Sequence, residues 1–275
     1  MRILLSGDWH GNSQHVQNVF AHACRVDADL VFQVGDFGFG WRTRQGKGGI
    51  FLDEFSHTVG IFAQRAGIPC YWLPGNHENY DLIEEKIVQP HHASKLIPNG
   101  YEHEPMVVYC PRPTALEFGG VKFLIQGGAI SVDKMYRTPG KSWWHQEEIT
   151  WAEIDECKRL SDKWGGFDVL LSHDFPWECN VVDRHLNPEW GQEAVEKTAE
   201  SRKKISEIVK ASGVKLVIHG HLHIAYTELI FPEPGKPVVV RGLDRDYTPM
   251  NANCYLLDTE TFDSDVAEAV RLLKA

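Results

Sequence analysis

The sequence predicts a single α/β domain, residues 1–275, built on two β-sheets. Three observations carry this reading. In the first third, short continuous apolar runs alternate with longer helical patterns, the β-α-β-α-β rhythm of a sheet with crossover helices. In the middle, apolar runs fall close together between Pro or Gly-Gly turns, as in an antiparallel meander. No repeat or low-complexity linker divides the chain, and 275 residues fit one large domain.

Taken in order, Arg2–Ser6 is apolar without alternation, the mark of a strand buried on both faces, and it stops at Gly7. Ser13 is placed to cap a helix whose apolar face carries Val16, Val19, Phe20 and Ala23 at helical spacing. Residues 30–34 read as a second strand closed by Gly35-Asp36, and residues 37–49 as a glycine-rich loop carrying Arg42, Arg44 and Lys47. A helix over 50–66 and a strand over 70–73, ended by Pro74-Gly75, complete the first unit. Strands follow at 106–110, 115–118 and 121–126, then a loop over 127–142 and a helix over 146–164. The remainder reads as a strand at 168–171, a loop over 172–187, a helix over 193–211 and a strand at 215–218. Strands at 226–230, 238–241 and 254–257, and a helix over 265–273, close the chain.

Composition excludes several classes. The chain has 28 Lys+Arg against 38 Asp+Glu, a net charge of −10, so a broad basic face for coating nucleic acid is not expected. The apolar stretch near the N-terminus is interrupted at Asp8, too short for a signal-peptide core or membrane span. Six scattered cysteines without a Cys-x-x-Cys pair read as reduced thiols, mostly in the core, of a cytoplasmic protein. Fourteen histidines stand out, because histidine is the commonest metal ligand and the usual acid/base at neutral pH.

Five predicted strand ends carry clustered Asp, Asn and His: Asp8-Trp9-His10, Gly35-Asp36, Gly75-Asn76-His77-Glu78, Ser172-His173-Asp174 and Gly220-His221-Leu222-His223. Ligands of α/β sheets gather beyond the carboxyl ends of strands, so these loops can converge. On an extended segment residues n and n+2 point the same way, which pairs Asp8 with His10 and His221 with His223. Two carboxylates, four imidazoles and an amide oxygen, without thiolate, suit Mn²⁺, Fe, Zn²⁺ or Ni²⁺. Seven ligands are too many for one ion and fit two that share a carboxylate. Such a pair clamps the attacking and leaving oxygens of an in-line phosphoryl displacement.

The run D-x-H, G-D, G-N-H-E, S-H-D and G-H-x-H, in that order over residues 8–223, resembles the calcineurin-like metallophosphoesterases. The resemblance implies a four-layer α-β-β-α sandwich with two mixed β-sheets and a di-metal site at the sheet edges. It places Asp8, His10, Asp36 and His223 on one divalent ion, and Asp36, Asn76, His173 and His221 on the other, with Asp36 bridging and Mn²⁺ the preferred metal. It makes His77 catalytic, stabilising the phosphate or protonating the leaving oxygen, with a metal-bridged hydroxide as nucleophile. In finer style, residues 170–176 (LLSHDFP), residues 35–38 (GDFG) and the final His-Leu-His resemble the lariat-debranching branch and its bacterial and phage phosphodiesterases. The sequence departs from that branch by keeping Asp8, where debranching enzymes commonly have Cys. It departs from phosphoprotein phosphatases by placing Phe39 at the second Asp of G-D-x-x-D.

The plainer readings have their own candidates. Asp, Asn, Gly and His all favour turns, and a single motif would be read so; five in order are not. The other nine histidines, including His91, His92, His185 and His219, are assigned to packing or surface. Asp174 either steers His173 or caps a turn. Tyr136 and Arg137, whose composition can stack a base and pair a phosphate, and Arg42 are candidate substrate contacts, against the alternatives of core or solvated loop. The expected function is hydrolysis of a phosphodiester of a nucleotide or of small RNA or DNA. The alternatives are a phosphomonoesterase or protein phosphatase, and a non-catalytic scaffold.

Overall fold

The computed structural model describes residues 1–45, 51–89, 95–97, 100–181 and 192–274. The first sheet runs in the order β15 (Cys254–Asp258), β1 (Arg2–Ser6), β2 (Leu30–Gln33), β5 (Cys70–Trp72), β8 (Val107–Tyr109), β7 (Gly100–Glu104), β6 (Lys95–Ile97). Within it β1, β2, β5 and β8 are parallel, and β15 and β7 add antiparallel. The second sheet runs β13 (Tyr226–Glu233), β14 (Lys236–Gly242), β12 (Leu216–His219), β11 (Val169–Ser172), β10 (Val121–Gln126), β9 (Thr114–Phe118). There β10, β11, β12 and β14 are parallel.

The continuous apolar runs have a simple cause: alternate residues of each inner strand serve two cores. Ile3, Leu5, Phe32, Phe123, Ile125, Leu171 and Ile218 meet between the sheets. Their neighbours Leu4, Val31 and Trp72 face α1 (Ser13–Arg25) and α2 (Glu54–Ala66) on one outer side. Leu124, Leu170 and Val217 face α4 (Trp151–Trp164) and α5 (Gln192–Ser212) on the other. The result is the expected α-β-β-α sandwich. The short helix α3 (Tyr80–Ile83) lies beyond β5, α6 (Met250–Asn253) precedes β15, and α7 (Phe262–Lys274) packs Phe262 and Val270 against the inter-sheet core.

Local chemistry sets boundaries that the apolar pattern alone places differently. Asn12, not Ser13, caps α1, accepting the His15 amide at 3.1 Å. The helix expected from residue 50 begins at Glu54, because Asp53 caps it and accepts from the Ser56 amide at 2.9 Å. The glycine-rich loop contains a strand, β3 (Thr43–Gln45), paired with β4 (Phe51–Asp53); its exposed polar residues give no apolar signal. The expected meander is instead the crossing point between sheets. Residues 107–109 pair in parallel with β5, while β9 and β10 form a hairpin in the other sheet. The helix expected over 146–164 starts at Trp151, where Thr150 and Glu153 form a capping box. Lys47, His91, His92 and His185 lie outside the described residues.

Candidate metal centre

Because β1, β2 and β5 are parallel to one another, as are β11 and β12, the loops that follow these strands leave each sheet at one end. There they bring all five motifs together. Asp36 is buried at the middle. Its Oδ2 lies 3.5 Å from His10 Nε2, and its Oδ1 lies 3.4 Å from His173 Nε2. On the first side, donor atoms of Asp8, His10, Asp36 and His223 lie within 4.8 Å of one another. On the second, His173 Nε2 meets Asn76 Oδ1 at 3.0 Å, and the His221 ring centroid is 5.1 Å from that of His173.

The backbone reaches this arrangement through turns rather than extended segments, which corrects the reason for the n, n+2 pairing. His10, Asp36, His221 and His223 have φ of 45°, 54°, 67° and 55°. Left-handed backbone is unfavourable for such residues and persists where the surroundings over-determine it. Two glycines make the crowding possible. A Cβ on Gly75 would lie 2.1 Å from Asp36 Oδ1, and one on Gly220 would lie 2.1 Å from Asp8 Oδ1.

The cluster is short of positive charge. Asp8 Oδ2 is buried without a hydrogen-bond donor and has His223 Nε2 at 3.0 Å. Burial opposes the charged imidazole, yet Asp36 and Asp8 outweigh it and raise His10 to about 9 and His173 to about 10. Burial likewise disfavours the Asp36 carboxylate, but His77 and His173 hold it well below the usual range. An orphaned carboxylate oxygen and imidazoles drawn toward the cationic form fit a divalent ion bound by mixed N and O donors.

A supporting ring of residues, mostly unassigned from sequence, orients the donors. Asp246 Oδ1 lies 2.9 Å from His10 Nδ1, its Oδ2 accepts from Asn12 Nδ2 at 2.8 Å, and its amide donates to Asp8 O. His173 Nδ1 faces the Val34 carbonyl at 2.9 Å. Asp174 therefore takes the turn-capping role: it accepts from the Phe175 amide and the Ser201 hydroxyl. Asn76 Nδ2 donates to Ser131 Oγ at 3.0 Å, and Glu147 accepts from both the amide and hydroxyl of Ser131. That chain aims the amide oxygen of Asn76 at His173. Glu78 accepts the amides of Phe37, Gly38 and Phe39, shaping the loop after Asp36. Phe39 packs near Trp72, which explains an apolar residue at that position. Glu78 lies within a recognised motif; Asp246, Ser131 and Glu147 belong to loops without one.

His77 is positioned through its backbone. Its amide donates to Asp36 Oδ1 at 2.9 Å, and its carbonyl accepts from Trp41 Nε1 at 2.8 Å. Its Nε2 faces Arg137 Nη2 at 3.4 Å and lies 3.9 Å from Asp36 Oδ2. Arg137 is braced by Asp133, at 2.7 and 2.8 Å. Of the three expected substrate contacts, only Arg137 reaches the site. Tyr136 is 83% exposed, and neither it nor Arg42 lines the two cavities at the site. A cavity of about 840 Å³ is lined by His10, His77 and His223 together with Trp41, Arg137 and Tyr247. A second, of about 340 Å³, is lined by Asp36, Asn76, His77, His221 and His223 together with Val132 and Phe175.

Fold and cluster together define an α/β sandwich with a metal-ready site at its strand ends. The pattern of the calcineurin-like phosphoesterases matches residues 1–225, and the chain belongs to that family. The family implies a dimetal centre and phosphoester substrates. A dimetal phosphatase from Danio rerio is similar at 11% identity, covering 93% of this chain and 91% of its own, with a TM-score of 0.51. The protein TT1561 of Thermus thermophilus is 13% identical over 89% of each chain, with a TM-score of 0.49. An archaeal phosphodiesterase is 13% identical over 95% of each chain, with a TM-score of 0.39. A comparison with curated proteins finds no match. Among the described residues no helix is long and apolar enough to cross a membrane.

Proposed function

We propose that this phosphoester hydrolase acts on phosphodiesters, with nucleotide or small nucleic-acid esters as substrates. The supporting observation is the pair of cavities that share His77 and His223. A diester carries two substituents on phosphorus; the smaller cavity is lined by the donors themselves and takes the ions with the phosphate, and the larger one gives the second substituent a place beyond them. Asp8, His10, Asp36 and His223 would hold one ion, and Asp36, Asn76, His173 and His221 the other, with Asp36 shared between them. Mn²⁺ is the preferred metal, since the donor set is nitrogen and oxygen without thiolate. Two bound ions supply Lewis-acid polarisation of the phosphate and a water acidified enough to attack near neutral pH.

The chain's own residues do the rest. Arg137, braced by Asp133, holds a phosphate oxygen beside His77. Burial holds the His77 imidazole below its ordinary pKa, so it would take up a proton from solvent as the anionic phosphate arrives beside Arg137 and pass it from Nε2 to the leaving oxygen. The single-domain reading over residues 1–275 is supported by one inter-sheet core that draws on Ile3, Phe123 and Phe262. A cytoplasmic location rests on six free cysteines. Parallel assays with p-nitrophenyl phosphate and bis(p-nitrophenyl) phosphate, with added Mn²⁺, test the reading. It expects the diester to turn over; hydrolysis of the monoester alone would remove it.

A further inference from the structure

The larger cavity has features that the phosphate chemistry does not use. Trp41 is 42% exposed although its indole is fixed by the bond to the His77 carbonyl, and its ring centroid lies 6.1 Å from that of His10. Tyr247 is 89% exposed and has a φ of 64°. It directly follows Asp246, which is buried and tied to both His10 and Asp8, so the left-handed turn holds a tyrosine ring out at the cavity rim. Exposing two large rings beside one site, one of them on strained backbone, has no folding benefit. Lys141 and Arg245 line the same cavity and, among the described residues, form no ion pair. The acidic chain therefore places uncommitted positive charge beside two of its exposed rings.

We propose that this cavity is a nucleobase-binding basin: Trp41 and Tyr247 stack the base of one nucleotide arm of the substrate, while Lys141 and Arg245 face its anionic backbone. The inference rests on the phosphodiesterase reading for the placement of phosphorus, and on the rings for the chemical class of the arm. Stacking is indifferent to which base is presented, so the basin selects for an aromatic arm rather than a sequence. The charge balance favours a short ester over a long strand, because cations are gathered here rather than spread over a face.

The experiment has a binding arm and a kinetic arm. In the first, Mn²⁺-loaded protein is titrated calorimetrically with adenosine 5′-monophosphate and with ribose 5-phosphate. The wild type is expected to bind the nucleotide about tenfold more tightly than the sugar phosphate. Tyr247→Ala and Trp41→Ala should each erase most of that advantage, while Tyr247→Phe and Trp151→Ala preserve it. Equal binding of the two ligands by the wild type, or an advantage that survives both alanine variants, overturns the proposal. In the second arm, kcat/KM is compared for thymidine 5′-(p-nitrophenyl phosphate) and methyl p-nitrophenyl phosphate. The thymidine ester should be favoured about tenfold, and Tyr247→Ala should lower that ratio through KM. Equal turnover of both esters refutes the basin and leaves the hydrolase standing. Nucleotide-selective binding without turnover of either ester refutes the hydrolase and leaves the basin.

Discussion

Replacing Asp246 by alanine removes a group outside the proposed donor set and still should disable half of the metal centre. Its carboxylate, itself buried, lies 2.9 Å from His10 Nδ1 and accepts from Asn12 Nδ2 at 2.8 Å, and both contacts are half-buried. Without it, the His10 ring loses the partner that selects its tautomer and orientation. Loss of such a partner costs roughly 10–100-fold in metal affinity, or about 1.4–2.8 kcal/mol. The Asn12 amide at the start of α1 also loses its acceptor and, being half-buried, turns to water, so the stability loss from that bond stays at about 1 kcal/mol. The metal deficit should fall on the ion held with Asp8 and His223, because His173 is steered separately by the Val34 carbonyl. Titration of the apo-protein with Mn²⁺ against a competing chelator reads this directly: one weakened and one unchanged constant are expected. Asp246→Asn, which retains one acceptor oxygen, should fall between the variant and the wild type. Two wild-type constants in Asp246→Ala would refute the assignment of Asp246 as the residue that positions His10.

Other consequences are checked as simply. His77→Ala should bind metal normally and lose about 100-fold or more in kcat on a diester, measured by nitrophenolate release; full turnover would remove its assigned role. Gly75→Ala should lose both metal and stability, since the new Cβ would lie 2.1 Å from Asp36 Oδ1 and 2.2 Å from its amide nitrogen. A cost of roughly 1–3 kcal/mol by urea denaturation of the apo-protein, together with weakened metal binding, is expected. Burial pushes the Asp53 carboxyl up to about 6, so the folded state holds a proton that the unfolded chain has released. Stability of the apo-protein should therefore fall between about pH 4 and about pH 6, by roughly 3 kcal/mol from this group, and level off above. Asp53→Asn, still able to cap α2, should lack that component when urea midpoints are compared across the range.

Much of this architecture is legible because both sheets are covered on both faces. Continuous runs such as Ile3 to Leu5 and Leu170 to Leu171 fit only buried strands, and the ligand-type residues stand immediately after them. Strands β3 and β7 lack that signal: Thr43–Gln45 is exposed and Gly100–Glu104 is largely polar. Helix starts depart from expectation where a side chain, Asn12 or Asp53, decides the first turn rather than the apolar spacing. The donors themselves carry motifs, whereas the residues that aim them do not. Asp246 reaches His10 from 236 positions away, and Ser131 reaches Asn76 from 55. Arg137 is legible as part of an aromatic-plus-arginine loop, but its neighbour Tyr136 points to solvent. The rings at the cavity rim, Trp41 and Tyr247, are ordinary loop residues until the fold sets them beside the cluster.

The central claim is that one buried carboxylate, Asp36, is shared by two ions, and metal stoichiometry tests it most directly. Wild-type protein and Asp36→Asn, equilibrated with Mn²⁺ and freed of excess, are analysed for bound metal per chain alongside hydrolysis of bis(p-nitrophenyl) phosphate. Sharing of Asp36 predicts two ions and turnover in the wild type, with both sites weakened together and activity lost in the variant. An Asp36→Asn protein that still holds two ions and hydrolyses the diester would contradict it.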